Sequence, residues 1–144
     1  MSQIECVRKL WFCCGHRLVG HESKCANVHG HNYTLFVYAR AKELDQVGRV
    51  VDFAILKEKI GGWIDHYWDH SFLLFKKDDK LMPIKDHLEI NKPPFICDFN
   101  PTAENMANYL LKTVCPTLLE GESFTVHKIE LWEAENNKVI VSRE

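Results

Sequence analysis

His29-Gly30-His31-Asn32-Tyr33-Thr34-Leu35-Phe36-Val37-Tyr38-Ala39-Arg40 is the stretch from which the rest of the chain can be read. Aromatic and β-branched residues dominate it, which is the composition of a strand. Alternation puts His29, His31, Tyr33, Leu35, Val37 and Ala39 on one face, and Thr34, Phe36, Tyr38 and Arg40 on the other. Neither face is cleanly polar, so both are expected to be covered.

Upstream of this strand lies a polar loop, residues 20–27, and before it a β-leaning stretch, residues 3–14, that leads into Gly15-His16. Downstream, a turn near Gly48 leads to Val50-Val51-Asp52, and Asp52 is a good helix N-cap. Phe53, Leu56, Ile60, Trp63 and Ile64 follow at helical spacing. Residues 76–94 are charged and contain prolines, and read as a long loop closed by a short strand over 95–97. Asn100-Pro101-Thr102-Ala103-Glu104 is a helix start, with Asn100 as cap and Pro101 at the first helical position. Ala103, Met106, Ala107, Leu110 and Val114 continue it, and Pro116 is expected to end it. Two strands, 124–133 and 138–142, close the chain around the turn residues Asn136-Asn137. The order ββααββ predicts an α+β fold: an antiparallel four-stranded sheet with two helices on one face.

The chain has 144 residues, 46% of them hydrophobic, which suits one domain over 1–144. Eighteen basic residues against twenty acidic ones give a net charge of -2. There is no basic excess for nucleic acid and no acidic tail. No apolar run approaches the roughly 20 residues that cross a bilayer, and the first residues lack a signal-peptide pattern, so a cytoplasmic protein is expected. In such a reducing compartment the six Cys stay thiols. Cys6, Cys13, Cys14, Cys97 and Cys115 lie in apolar or helical contexts that favour core packing.

The eight His are the more informative count, because they cluster. His29 and His31, two apart on a strand, share a face. His16, at the end of the preceding strand, is the obvious third nitrogen. Three His with one position open is the ligand set of a catalytic zinc site, whereas a structural site is closed by four ligands. Without a metal they are polar residues at strand ends. Cys25, four residues before His29, is either a thiolate base beside a cation, a fourth ligand or an ordinary loop thiol. Asp69-His70 pairs a carboxylate with an imidazole, although neighbours in extended chain point apart. Glu133, near a strand end, is able to hold a guanidine-like ring edge by two hydrogen bonds.

These pieces together resemble the 6-pyruvoyltetrahydropterin synthase family. The resemblance rests on Phe12-x-x-Gly15-His16-Arg17-Leu18, Cys25-x-x-x-His29-Gly30-His31-Asn32, Val51-Asp52-Phe53-x-x-Leu56-Lys57, Asp69-His70, Asn100-Pro101-Thr102-x-Glu104-Asn105 and Glu133. The three-residue gap between Cys25 and His29 looks like the QueD branch, the 6-carboxytetrahydropterin synthases of queuosine biosynthesis. The resemblance implies the tunnelling fold, with trimers closing a barrel and two trimers stacking into a homohexamer. It implies Zn2+ on His16, His29 and His31, Cys25 as the proton-abstracting residue, and His70 with Asp69 as a relay. Glu133 then anchors the pterin and is grouped with that relay, while Thr102 and Glu104 lie near the ring. The implied substrate is 7,8-dihydroneopterin triphosphate, and the implied products are 6-carboxytetrahydropterin, acetaldehyde and triphosphate. A pterin synthase making the 6-pyruvoyl product, or a zinc-stabilised oligomer without catalysis, are the alternatives. Cys13-Cys14 before Gly15, where small residues are usual, and the length of the 76–94 segment depart from the pattern.

Overall fold

The residues of the opening stretch form the middle of the sheet. In the computed structural model, which describes residues 2–143, β2 (His29–Ala41) lies between β1 (Glu5–His16) and β5 (Phe124–Ala134), antiparallel to both. β6 (Asn137–Ser142) pairs antiparallel with β5, after a turn at residues 135 and 136. Tyr33, Leu35, Val37 and Ala39 are at most 1% exposed, so this face of β2 is core. Leu10, Phe12, Cys14 and His16 of β1 point the same way and are buried too.

Two helices cover this face. The first runs over 53–67 through a wide turn at Lys57–Gly61, and it buries Leu56, Ile60 and Ile64. Asp52 caps it as expected, its carboxylate accepting from Ala54 N at 3.0 Å. Gly61 lets it approach β1: a Cβ there would meet Leu10 Cδ2 at 3.4 Å. The second runs over 103–118 and buries Met106, Ala107, Leu110 and Leu111 completely. Each large apolar side chain taken out of water contributes about 1.5–3 kcal/mol, and this is what holds helices to sheet.

Four features differ from the sequence expectation. The sheet has six strands, ordered β4-β3-β1-β2-β5-β6. β3 (Ser71–Phe75) pairs parallel with β1, and β4 (Phe95–Cys97), expected as a strand, pairs parallel with β3. Ser71, Leu73 and Leu74 are all buried, so Ser-Phe-Leu-Leu-Phe carries no period-two signal. Parallel neighbours need a crossover of a dozen residues or more, and the 76–94 segment is that crossover, with a 3-10 turn at Met82–Leu88. The second helix starts later than expected: Thr102 is its cap, its hydroxyl accepting from Asn105 N at 3.1 Å. Asn100 is engaged elsewhere, holding Val19 N and Val19 O at 3.0 and 2.9 Å. Pro116 does not end that helix, which continues to Leu118. The preceding turn is already wide, with Cys115 N–H bonded five residues back to Leu110 O, so the ring of Pro116 enters a helix that has loosened.

The last difference concerns coverage. The face of the sheet opposite the helices is open in the single chain: Trp11 is 66% exposed and Ile140 53%. Lys9 lies over the rings of Trp11 and Phe36, and Lys138 over Trp132.

Candidate metal centre and active site

Antiparallel pairing of β1 with β2 sets His16 opposite His29 and Cys14 opposite His31. All three imidazoles therefore stand on the core side, at the loop end of the β1–β2 hairpin. Their ring centroids are 4.6, 5.0 and 5.2 Å apart, and one donor atom from each lies within 4.8 Å of the others. Between the ligand pairs the strands meet at Gly15 and Gly30. A Cβ on Gly30 would come within 2.9 Å of Cys14 O, so only glycine permits this closeness.

The protonation pattern follows from the partners. His16 Nδ1 is 2.7 Å from Pro101 O, and His29 Nδ1 is 2.7 Å from Asn27 O. A carbonyl only accepts, so each Nδ1 carries the proton and each Nε2 keeps a bare lone pair. The Nε2 atoms of His16, His29 and His31 are all buried without a hydrogen-bond partner. An unsatisfied buried polar atom costs about 1–3 kcal/mol, so three together call for an occupant. Burial pushes His16 down to about 4, and neighbouring His29 and His31 add to the effect. Burial also lowers His31, outweighing the opposing pull of Glu133. Three unpartnered imidazole nitrogens, two of the rings fixed from behind by backbone carbonyls, fit a zinc-type cation.

Glu133, at the end of β5, brings a carboxylate oxygen to 3.5 Å from His31 Nε2. It also lines a cavity of about 380 Å³ together with Leu18, Thr102, Glu104 and Lys138. Glu133, Thr102 and Glu104, expected to share a site, thus border one cavity. The Thr102 hydroxyl is occupied by its capping bond.

Cys25 lies on the short turn Lys24–Ala26, inside the loop that joins the two ligand strands. It is partly buried, and its sulfur is not among the donor atoms gathered with the three His. Its carbonyl accepts from Leu18 N at 2.9 Å. The loop is held by Arg17, the residue after His16. Arg17 donates from Nη1 to Ala26 O at 2.8 Å, and from Nε and Nη2 to the two oxygens of Asp78 at 2.6 and 3.1 Å. Asp78, in the crossover, is 1% exposed and also accepts from Lys80 N and Leu81 N. Burial raises its carboxyl, but Arg17 and those two N–H groups outweigh burial and hold it below the usual range.

Asp69 and His70 are in direct contact, Oδ2 to Nδ1 at 2.8 Å. The chain is not extended here: His70 has φ 58°, in the left-handed region that non-glycine residues avoid. β1 stabilises that conformation, since Cys13 N donates to Asp69 Oδ1 at 2.9 Å and Cys13 O accepts from His70 N at 2.7 Å. Lys92, from the crossover, donates to Asp69 O and to Asp65 O. Burial raises the Asp69 carboxyl, but Cys13, His70 and Lys92 outweigh it and leave it below the usual range. His70 is 77% exposed and lines two cavities, of about 870 and 460 Å³. Cys25 lines neither of them. No pattern in the sequence distinguishes Asp78 or Lys92 from the other charges of 76–94.

A sequence model of the family described as 6-pyruvoyl tetrahydropterin synthase matches residues 5–144. The 6-carboxy-5,6,7,8-tetrahydropterin synthase of Rickettsia bellii is 39% identical over 134 residues, spanning 92% of this chain and 96% of that protein. The protein of the same name from Haemophilus influenzae is 31% identical over 122 residues, 82% of this chain and 84% of its own. Among solved structures, 6-pyruvoyl tetrahydropterin synthase from Plasmodium falciparum superposes with a TM-score of 0.74 at 25% identity, over 99% of both chains. An uncharacterized protein from Wolinella succinogenes shares the fold with a TM-score of 0.83 at 22% identity, over 100% of both chains.

Proposed function

The chain belongs to the 6-pyruvoyl tetrahydropterin synthase family and is an enzyme of the tetrahydropterin synthase type, and from that premise we propose its reaction. It converts 7,8-dihydroneopterin triphosphate and water to 6-carboxy-5,6,7,8-tetrahydropterin, acetaldehyde and triphosphate, as a cytoplasmic, zinc-dependent carbon–carbon lyase of queuosine biosynthesis. The observation that carries the reading is the set of three buried, unpartnered Nε2 atoms at the loop end of the β1–β2 hairpin, with Glu133 beside them. The names of the bacterial relatives support the 6-carboxy product over the 6-pyruvoyl one.

His16, His29 and His31 hold the cation. Bound there, zinc supplies Lewis acidity to the vicinal oxygens of the substrate side chain. Glu133 hydrogen-bonds the amino-pyrimidine edge and fixes the ring, with Thr102 and Glu104 bordering the same cavity. Cys25 takes a proton from the side chain as thiolate base. His70, with Nδ1 held by Asp69, presents Nε2 for returning a proton. Cys25 borders neither of the two cavities that His70 borders, which supports a working site between subunits of a homo-oligomer, proposed as a hexamer built of two trimers. Partners other than its own copies and the pterin are not required, and neither nucleic acid nor membrane is part of the reading. No helix among the described residues is long and apolar enough to cross a membrane.

The test is Cys25→Ala. The variant is expected to keep one zinc per chain and to release no acetaldehyde from dihydroneopterin triphosphate. Loss of zinc would make Cys25 a ligand, and the site a closed structural one.

A further inference from the structure

Cys13 is the thiol beside the proposed relay to which the reaction gives no task. It lies three residues before His16, and alternation along β1 turns it to the sheet face opposite the three-His centre. Its sulfur, an oxygen of Asp69 and a ring nitrogen of His70 lie within 4.8 Å of one another. Backbone bonds fix this grouping. Cys13 donates its N–H to Asp69 and accepts the N–H of His70, while β1 and β3 run parallel from Cys14 and Ser71 onward. The left-handed His70, a conformation costing on the order of 1 kcal/mol or more, is maintained by these same bonds. Three donors are therefore preorganised by main chain, and Cys13 and His70 border a cavity of about 460 Å³ that His29 and His31 also border, while Asp69 borders the neighbouring cavity of about 870 Å³.

One thiol, one imidazole and one carboxylate form the donor mix of a borderline-soft divalent cation. We infer that Cys13, Asp69 and His70 constitute a second metal site, for Zn2+ or a similar ion, distinct from the three-His centre. The two donor sets form separate groups, and Cys13 leaves β1 on the face opposite the three imidazoles. Binding releases the Cys13 proton to solvent and leaves the fourth position to water. An ion held there occupies His70 and Asp69, so the second equivalent inhibits where the first activates. That consequence rests on the proposed reaction; the binding itself does not.

The experiment adds Co2+ to protein already carrying one equivalent of zinc per chain. A second equivalent is expected to bind with a near-ultraviolet thiolate-to-cobalt charge-transfer band. Cys13→Ser should lose the band and weaken that binding by about tenfold or more, and Cys25→Ser should retain it. Excess Zn2+ should likewise slow turnover of the natural chain and not of Cys13→Ser. No band, a band surviving Cys13→Ser, or a band lost in Cys25→Ser would overturn the site. A Cys13-dependent band in protein with no pterin turnover would support the site while the proposed reaction failed.

Discussion

His16 shows how one side chain is committed to a single chemical state. It is fully buried, its Nδ1 is tied to Pro101 O, and its Nε2 faces two other imidazoles with nothing to bond. His29 repeats the arrangement against Asn27 O. A metal ligand needs a neutral ring of defined tautomer; at His16 burial provides the first and the backbone carbonyl the second. His16→Ala, His29→Ala and His31→Ala are each expected to drop zinc well below one per chain by metal analysis. His16→Ala should in addition cost about 1–3 kcal/mol of stability, because Pro101 O loses its buried donor. Full zinc occupancy in all three variants would refute the centre.

The β1–β2 hairpin and the crossover 76–94 divide the work between elements. The hairpin was legible in sequence: His29 and His31 on period two and His16 at the preceding strand end predict a shared face, and the register pairs His16 with His29. The two helices were legible from their apolar stripes, though Thr102 and Pro116 act differently from expectation, because local preferences yield to the bonds of Asn100 and to a wide turn. The crossover was legible as a loop closed by a short strand over 95–97, but the parallel pairing it serves was not. Ser71–Phe75 is buried on both faces, and its parallel partners are distant in sequence. Asp78 and Lys92 sit among many charges, and only tertiary contact shows that they hold Arg17, beside the metal strand, and the Asp69–His70 turn. Asp78→Asn should destabilise the chain by about 3 kcal/mol at neutral pH in urea unfolding, since it leaves Arg17 without its buried partner. The Asp78 carboxyl is depressed in the folded chain. Its contribution is complete above the unfolded value of about 3.9 and is lost as pH falls through the lower folded value. The gap between natural chain and variant should therefore close in acid, and a gap independent of pH would remove the ion pair from the account.

At the scale of the whole molecule, the single chain is unfinished. One sheet face carries exposed Trp11 and Ile140 with Lys9 and Lys138 lying over neighbouring rings, and the outer strands β4 and β6 end the sheet with unpaired backbone. His70 is 77% exposed. In the proposed assembly self-association covers the apolar face and the edges, and light scattering should report an assembly larger than a dimer, six chains in the proposed form. A monomer that turns over substrate would contradict a site shared between subunits. The central claim is that the three-His centre, Cys25 and the Asp69–His70 pair together remove the side chain of a pterin triphosphate. Zinc-loaded protein incubated with 7,8-dihydroneopterin triphosphate tests it most directly, with the pterin identified by mass. The account predicts 6-carboxytetrahydropterin; a 6-pyruvoyl product, or substrate returned unchanged, would contradict it.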